Sequence, residues 1–205
     1  VSLGGILRAA ADGEFPPVDG KIEVVPPYRT GLEAVVAFTG HAVFATTLDV
    51  EVIRGLGADG YGGAYAPSVM AALGGAGARL DCLDAMLVAR GTGGGGLAVR
   101  ADLDDHPRVR LARSLRDDVA VYGSGAGFVT LGRGVGGLPE LSVEVSAPGR
   151  GFGRRLIRSA LGLVPAGEVV VACVAPGNAI STRAFLATGF TPIGSVQLVH
   201  PGVRM

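Results

Sequence analysis

From Leu141 to Phe190 the chain reads as a strand, a glycine-rich turn, a helix, a second strand and a second helix, and few folds admit this order. The turn Ala147-Pro148-Gly149-Arg150-Gly151-Phe152-Gly153 follows Val143-Glu144-Val145 directly. It leads into a helix over 151–163 with Leu156, Ile157, Ala160, Leu161 and Val164 on one side. Val169–Val174 is almost entirely β-branched or small, the composition of a strand covered on both faces. Asn178 then caps a helix over 179–188 that carries Ile180, Ala184 and Ala187 at helical spacing and ends at Gly189. Two parallel strands that each feed a helix bring both strand-to-helix turns to one edge of a sheet.

The remaining segments place this unit in a larger sheet. Val119–Tyr122, Phe128–Leu131 and Leu141–Val145 are short strands separated by glycine-rich turns, an antiparallel meander by their loop lengths. A helix from Pro107 through Arg116 precedes them, with Asp105 as its expected cap. Lys21–Val25 predicts a strand, 33–47 a hairpin about Thr39-Gly40, and Leu83–Ala89 a buried strand. Asp49–Leu56 and Pro67–Leu73 predict short helices, and Phe190–Val199 a last strand. Residues 1–20, with Pro16-Pro17, read as a loosely attached lead-in. The predicted class is mixed α/β (α+β), a mostly antiparallel central sheet flanked by helices. An α/β segment over 1–105 is expected to pack on, or complete, a core over 106–205.

Composition narrows the chemistry. With 48% hydrophobic and 18% charged residues the chain is globular, and its zero formal net charge points to neither nucleic acid nor an anionic membrane as partner. Lys21, the sole lysine, stands in Gly20-Lys21-Ile22, so there is no P-loop. Cys82 and Cys173 lie far apart in apolar runs and predict buried, reduced thiols in a cytoplasmic protein without a metal site. No apolar run predicts a membrane span, and no basic segment leads into an apolar one at the N-terminus.

The 147–153 turn has the chemistry of a phosphate cradle. Glycines let the backbone approach a ligand, and the first amides of the following helix have no intrahelical acceptor. The helix dipole adds partial positive charge there, and Arg150 and Arg154 add charge-assisted donors. A tight turn with no ligand fits the same glycines. From about His106 to Val199 the chain resembles the GNAT superfamily of acyl-CoA-dependent N-acyltransferases. The family's phosphate motif, Gln/Arg-x-x-Gly-x-Gly/Ala, corresponds to Pro148-Gly149-Arg150-Gly151-Phe152-Gly153, with proline in the leading place. Its second motif, an asparagine followed by a helix bearing an aromatic and then Gly-Phe, corresponds to Asn178, Phe185, Gly189 and Phe190.

The resemblance implies acetyl-CoA as co-substrate, no metal, and direct attack by an amine. Backbone groups of Val143 and Val145 would hold the pantetheine arm as an added strand and polarise the thioester carbonyl. Gly149, Arg150, Gly151, Phe152, Gly153 and Arg154 would hold the pyrophosphate, and Asn178 would contact the arm. Phe185 stands where relatives often carry a tyrosine that protonates the leaving thiolate, which leaves a non-catalytic acyl-CoA-binding or sensing protein as the alternative. The family's last hairpin has little room, and the 33–47 hairpin is the candidate to fill its place. The implied acceptor is a small amine or a peptide, and a homodimer stays open.

Glu144 and Glu140 are the candidate bases, with solvated strand carboxylates as the plainer reading; Glu144 is expected on the sheet face opposite Val143 and Val145. His200 and Tyr122 are weaker candidates, and His106 is read as a loop residue with no catalytic role. Arg154, Arg155 and Arg158, like Arg108 and Arg110, fit either a solvated helix face or a phosphate contact. Gly91-Thr92-Gly93-Gly94-Gly95-Gly96 matches a dinucleotide fingerprint and keeps an NAD(P)-dependent enzyme as a third reading, although no helix starts there; a mobile loop is the preferred account.

Overall fold

A computed structural model describes residues 1–147 and 150–204. In chain order its elements are α1 (Leu3–Ala11), β1 (Ile22–Val25), β2 (Glu33–Phe38), β3 (His41–Ala45), α2 (Val50–Gly55), α3 (Pro67–Gly74), β4 (Arg79–Arg90), β5 (Ala98–Val99), α4 (Pro107–Leu115), β6 (Asp117–Ser124), β7 (Gly127–Arg133), β8 (Pro139–Val145), α5 (Phe152–Leu161), β9 (Val169–Val174), α6 (Ala179–Leu186) and β10 (Thr191–His200). Contacts divide the chain into two units, Val1–Met86 with Ile193–Met205, and Leu87–Pro192. The division read from the sequence is 1–105 and 106–205; by contacts the last strand returns to the first unit and residues 87–105 group with the second.

In the first unit the strand order is β1-β3-β2-β10-β4. β1 runs parallel to β3, while β2 pairs antiparallel with β3 and with β10, from Ser195↔Ala37 to Val199↔Glu33. The 33–45 hairpin therefore lies beside the last strand. Its core gathers Val35, Phe44, Ile53, Met70, Leu73 and Val199. The expected loose lead-in is a helix instead. Ser2 caps α1 by accepting from the Gly5 amide, and Leu3, Leu7 and Ala10 are buried along one side.

Glu33 is buried in this unit. Its carboxylate accepts from Arg204 Nη1 at 2.9 Å, from Thr46 Oγ1 at 2.6 Å and from the Thr47 amide at 3.2 Å. Burial alone would raise its pKa; the donors from Arg204, Thr46 and Thr47 outweigh that and hold it below the ordinary value. The unfolded chain then binds the proton more readily, so this carboxylate stabilises the fold above the unfolded pKa of about 4.3 and loses its effect as pH falls through the lower folded value. A melting curve taken from pH 7 to pH 3 is expected to fall less steeply in this window for Glu33→Gln than for the parent. Equal slopes would remove Glu33 as a source of acid sensitivity.

Cys82 corrects a sequence expectation: it is exposed on the outer half of β4, and Cys173 is half-buried. The thiol donates to Asp84 Oδ1 at 3.0 Å. That bond, with some burial and the nearby Asp84 and Asp81 charges, pushes its pKa up to about 11. At pH 8 only about 0.1% is thiolate, so alkylation by iodoacetamide is expected roughly a hundredfold slower than for an ordinary thiol. Asp84→Asn is expected to speed it.

In the second unit the order is β9-β8-β7-β6-β5. β5 through β8 form an antiparallel meander, and β8 meets β9 in parallel. The two-residue period sorts the faces. Val129, Leu141, Val143 and Val145 pack with Leu156, Ile157, Ala160 and Leu161 of α5 and with Phe185 of α6. Val121 and Phe128 pack on the other face, against Val109 of α4. The cap of α4 is His106, whose Nδ1 accepts from the Arg108 amide, and not Asp105.

The 91–96 segment docks on the C-terminal end of α5. The Thr92 amide donates to the Leu161 carbonyl at 2.9 Å, Gly93 to Val164 at 3.0 Å and Gly95 to Gly162 at 2.7 Å. Gly91 donates to Glu168 at 2.8 Å and receives the Gly167 amide at 2.9 Å. A Cβ on Gly91 would lie 2.4 Å from the Pro165 carbonyl oxygen, so only glycine allows the approach. The segment predicted as a mobile loop is a brace.

Candidate active site

Both faces of the β8 edge carry a cavity within the second unit. The first, ≈ 460 Å³, lies at the start of α5, where Val145, Gly151, Phe152, Gly153 and Arg154 face Ile180, Arg183 and Ala184 of α6. Gly151 takes φ 73 as the N-cap of α5 and supplies no side-chain acceptor. Helices α1, α2, α4 and α6 are each closed by a side chain, from Ser2, Asp49, His106 and Asn178. The first intrahelical bond of α5 runs from the Arg155 amide to the Gly151 carbonyl at 3.2 Å. The amides of Phe152, Gly153 and Arg154 thus come before the helix ladder begins.

Arginines set the charge of this cavity. Arg154 and Arg183 line it, and no acidic residue does. Arg155 is not among the lining residues but stacks on one of them, its guanidinium 4.7 Å from the Phe152 ring centre, and Arg158 reaches the Ala187 carbonyl at 3.4 Å. Amides with no recorded acceptor among the described residues, the positive end of a helix and two arginines make a place for a multiply charged anion.

Beside it, β8 and β9 are in register at Glu140↔Val171, and no further pair is recorded among the described residues. Past that point the edge of β8 from Ser142 to Val145 has no ladder partner in β9. An extended ligand arm can hydrogen-bond to such an edge as an added strand.

The structure brings Val145, Gly151, Phe152, Gly153 and Arg154 around one cavity. Arg150 is exposed in the bend before α5, and Pro148 and Gly149 lie outside the described residues. Val143 packs against the α5 core. Asn178 opens α6 with its Oδ1 accepting from the Ser181 amide at 3.2 Å. Phe185 is not on the cavity wall: it is 3% exposed and meets Phe190 edge to face at 4.9 Å. Ile180, Arg183 and Ala184 were missed, although their spacing of three and four residues marks one side of α6.

The two candidate carboxylates separate sharply. Glu140, 4% exposed, accepts from Arg116 Nη2 at 2.6 Å and Nε at 2.9 Å through one oxygen, and from the Val135 amide at 3.0 Å through the other. Arg116 also donates to Thr130, which bonds Ser142 at 2.6 Å. This pair is enclosed and opens on neither cavity. Glu144 faces the second cavity, ≈ 270 Å³, with Arg100, Leu103, His106, Ser124 and Phe128 around it. Arg108 Nε donates to Glu144 Oε2 at 2.7 Å, and His106 Nε2 lies 3.5 Å from Oε1. The His106 ring stands edge-on to Phe128 at 4.9 Å. The sequence placed no role on His106; its neighbour lies far along the chain, and no local pattern announces it. Tyr122 packs against the α5 core, and His200 pairs with Asp81 at 3.2 Å in the first unit.

No helix among the described residues is long and apolar enough to cross a membrane, and none of their His, Cys, Asp and Glu side chains cluster as a metal site.

No protein-family model and no curated protein matches the chain. Solved structures do. One is a candidate acetyltransferase of the GNAT family from Novosphingobium aromaticivorans DSM 12444, with 21% identity and TM-score 0.43 over 63% of this chain and 70% of that one. A GCN5-related N-acetyltransferase from Kribbella flavida aligns at 15% identity and TM-score 0.39, over 63% of this chain and 62% of that one. A GNAT-family acetyltransferase from Colwellia psychrerythraea aligns at 9% identity and TM-score 0.38, over 60% and 57%. The chain thus spans less than two thirds of the Kribbella and Colwellia structures, and its likeness to all three is a partial likeness of fold.

Proposed function

We propose that the protein transfers an acyl group, most simply acetyl, from acetyl-CoA to an amine. The observation that carries this reading is the uncapped start of α5 beside Arg154 and Arg183, next to the unpaired edge of β8. The amides of 152–154 and the two arginines hold the pyrophosphate. The free edge at Val143 and Val145 receives the carrier arm and donates to the acyl carbonyl. Acetyl-CoA supplies the activated acyl thioester. Glu144, on the opposite face of the same strand, takes the proton that the amine gives up. Glu140 has no part in this, since both its oxygens are engaged by Arg116 and Val135. A cytoplasmic location goes with the reading and with two unbridged cysteines.

A second reading rests on one specific feature. No side chain lining the α5 cavity carries a hydroxyl that can protonate a leaving thiolate, and Phe185 is in the core. A protein that binds acyl-CoA as a signal, without turnover, has the same geometry. The dinucleotide reading loses its basis, because the amides of Gly91, Thr92, Gly93 and Gly95 already donate to the chain itself.

Calorimetric titration with acetyl-CoA and with NAD tests the site, and thiol release with a panel of amines tests turnover. Binding of acetyl-CoA but not NAD, with thiol release, is expected. Binding without release favours the sensing alternative, and no binding of acetyl-CoA ends both.

A further inference from the structure

On the α4 side of β8, the second cavity has a charge layout that matches a zwitterion. Glu144 and Arg100 both line it, together with Ser124 and Ser146 and the apolar side chains of Phe128 and Leu103. Glu144 keeps acceptor capacity. Its Oε2 takes the Arg108 Nε at 2.7 Å, while Oε1 has, among the described residues, only His106 Nε2 at 3.5 Å. The His106 Nδ1 accepts from the Arg108 amide, so a neutral His106 carries its proton on Nε2 and turns it toward Glu144. Arg100 keeps donor capacity. Its Nε and Nη2 fork onto Asp102 at 2.7 Å, but Nη1 reaches only the Ser124 carbonyl at 3.3 Å, leaving its second N–H without a partner among the described residues. Ser124 Oγ accepts from the Ala126 amide and retains its own proton to donate.

We infer that this cavity selects a free amino acid as acceptor, the amine on Glu144 Oε1 and the carboxylate on Arg100 Nη1 with the Ser124 hydroxyl. This rests on the acyl-transfer reading and adds the class of acceptor to it. Size agrees with the class: at ≈ 270 Å³ the cavity has room for a small amino acid, given about 30 Å³ per water in the liquid. An amine without a carboxylate leaves the free Arg100 N–H and the serine hydroxyl unmet, which is how a polar site rejects an analogue lacking the matching group.

The test sets the twenty standard amino acids beside carboxylate-free counterparts, such as ethylamine for alanine, ethanolamine for serine, and alaninamide. Thiol release from acetyl-CoA is measured in each case. At least one amino acid is expected to have a KM ten or more times lower than its counterpart. Arg100→Gln is expected to raise that KM about 10- to 100-fold, with the counterpart's KM and the Kd for acetyl-CoA unchanged, and Arg100→Lys to recover part of the loss. Carboxylate-free amines turned over as well as amino acids, or Arg100→Gln raising both KM values alike, overturns the inference and leaves acyl transfer standing. Failure of the parent protein to bind acetyl-CoA overturns both.

Discussion

Gly153→Asp is expected to weaken acetyl-CoA binding at least a hundredfold without lowering the melting temperature. The two effects come from the same carboxylate. At the start of α5 it places a negative charge where the helix field is positive, which stabilises the helix by about 0.3–1 kcal/mol. To a pyrophosphate the same charge is repulsive, and it competes for the amides that would hold the ligand. The site has room: among the described residues a Cβ at Gly153 meets only Val145 Cγ1, at 3.6 Å, an ordinary contact. Gly151 makes a poorer probe, because its φ of 73 strains any other residue and mixes folding with binding. Calorimetry and a thermal melt on one preparation decide the matter. An unchanged Kd removes the α5 start as the phosphate site.

The largest loss of stability is expected from Arg116→Ala. Arg116 is 8% exposed and Glu140 4%, and the guanidinium serves Glu140 and Thr130 together. Removing it leaves a carboxylate enclosed with one backbone donor, at a cost of about 3–5 kcal/mol. Replacing both partners, as in Arg116→Met with Glu140→Leu, is expected to recover most of that, because no unpaired charge remains. Urea unfolding of the three proteins reads it directly. A loss below about 1 kcal/mol for the single variant contradicts the burial of the pair. Since Glu140 opens on neither cavity, acetyl-CoA affinity is expected to be unchanged in any of these variants that stays folded.

What the sequence disclosed follows distance along the chain. The turn before α5, the Asn178 cap and the meander show in local spacing, because a helix or strand repeats its buried face every few residues. Helix α1 had such a signal in Leu3, Leu7 and Ala10, obscured by Gly4, Gly5 and the proline pair that follows. The pairings of Glu140 with Arg116 and of Glu144 with His106 join residues far apart in sequence and leave no periodic trace. Phe185 was placed by motif, and the motif does not say that its ring turns inward onto Phe190. The glycine run at 91–96 misled for a related reason: composition gives a backbone its freedom, while its partners are fixed only once α5 is in place.

That brace has a consequence for the opposite end of the helix. Thr92, Gly93 and Gly95 donate to carbonyls at and just beyond the end of α5, so the electronegative end of α5 finds donors within the chain itself. The positive pole, at Gly151, has no such counterweight among the described residues. A hydrogen-bonded row extended at its tail is polarised more strongly at its head. On the proposed reading, the segment that looked like a nucleotide loop thus supports anion binding at a pocket whose lining it does not share.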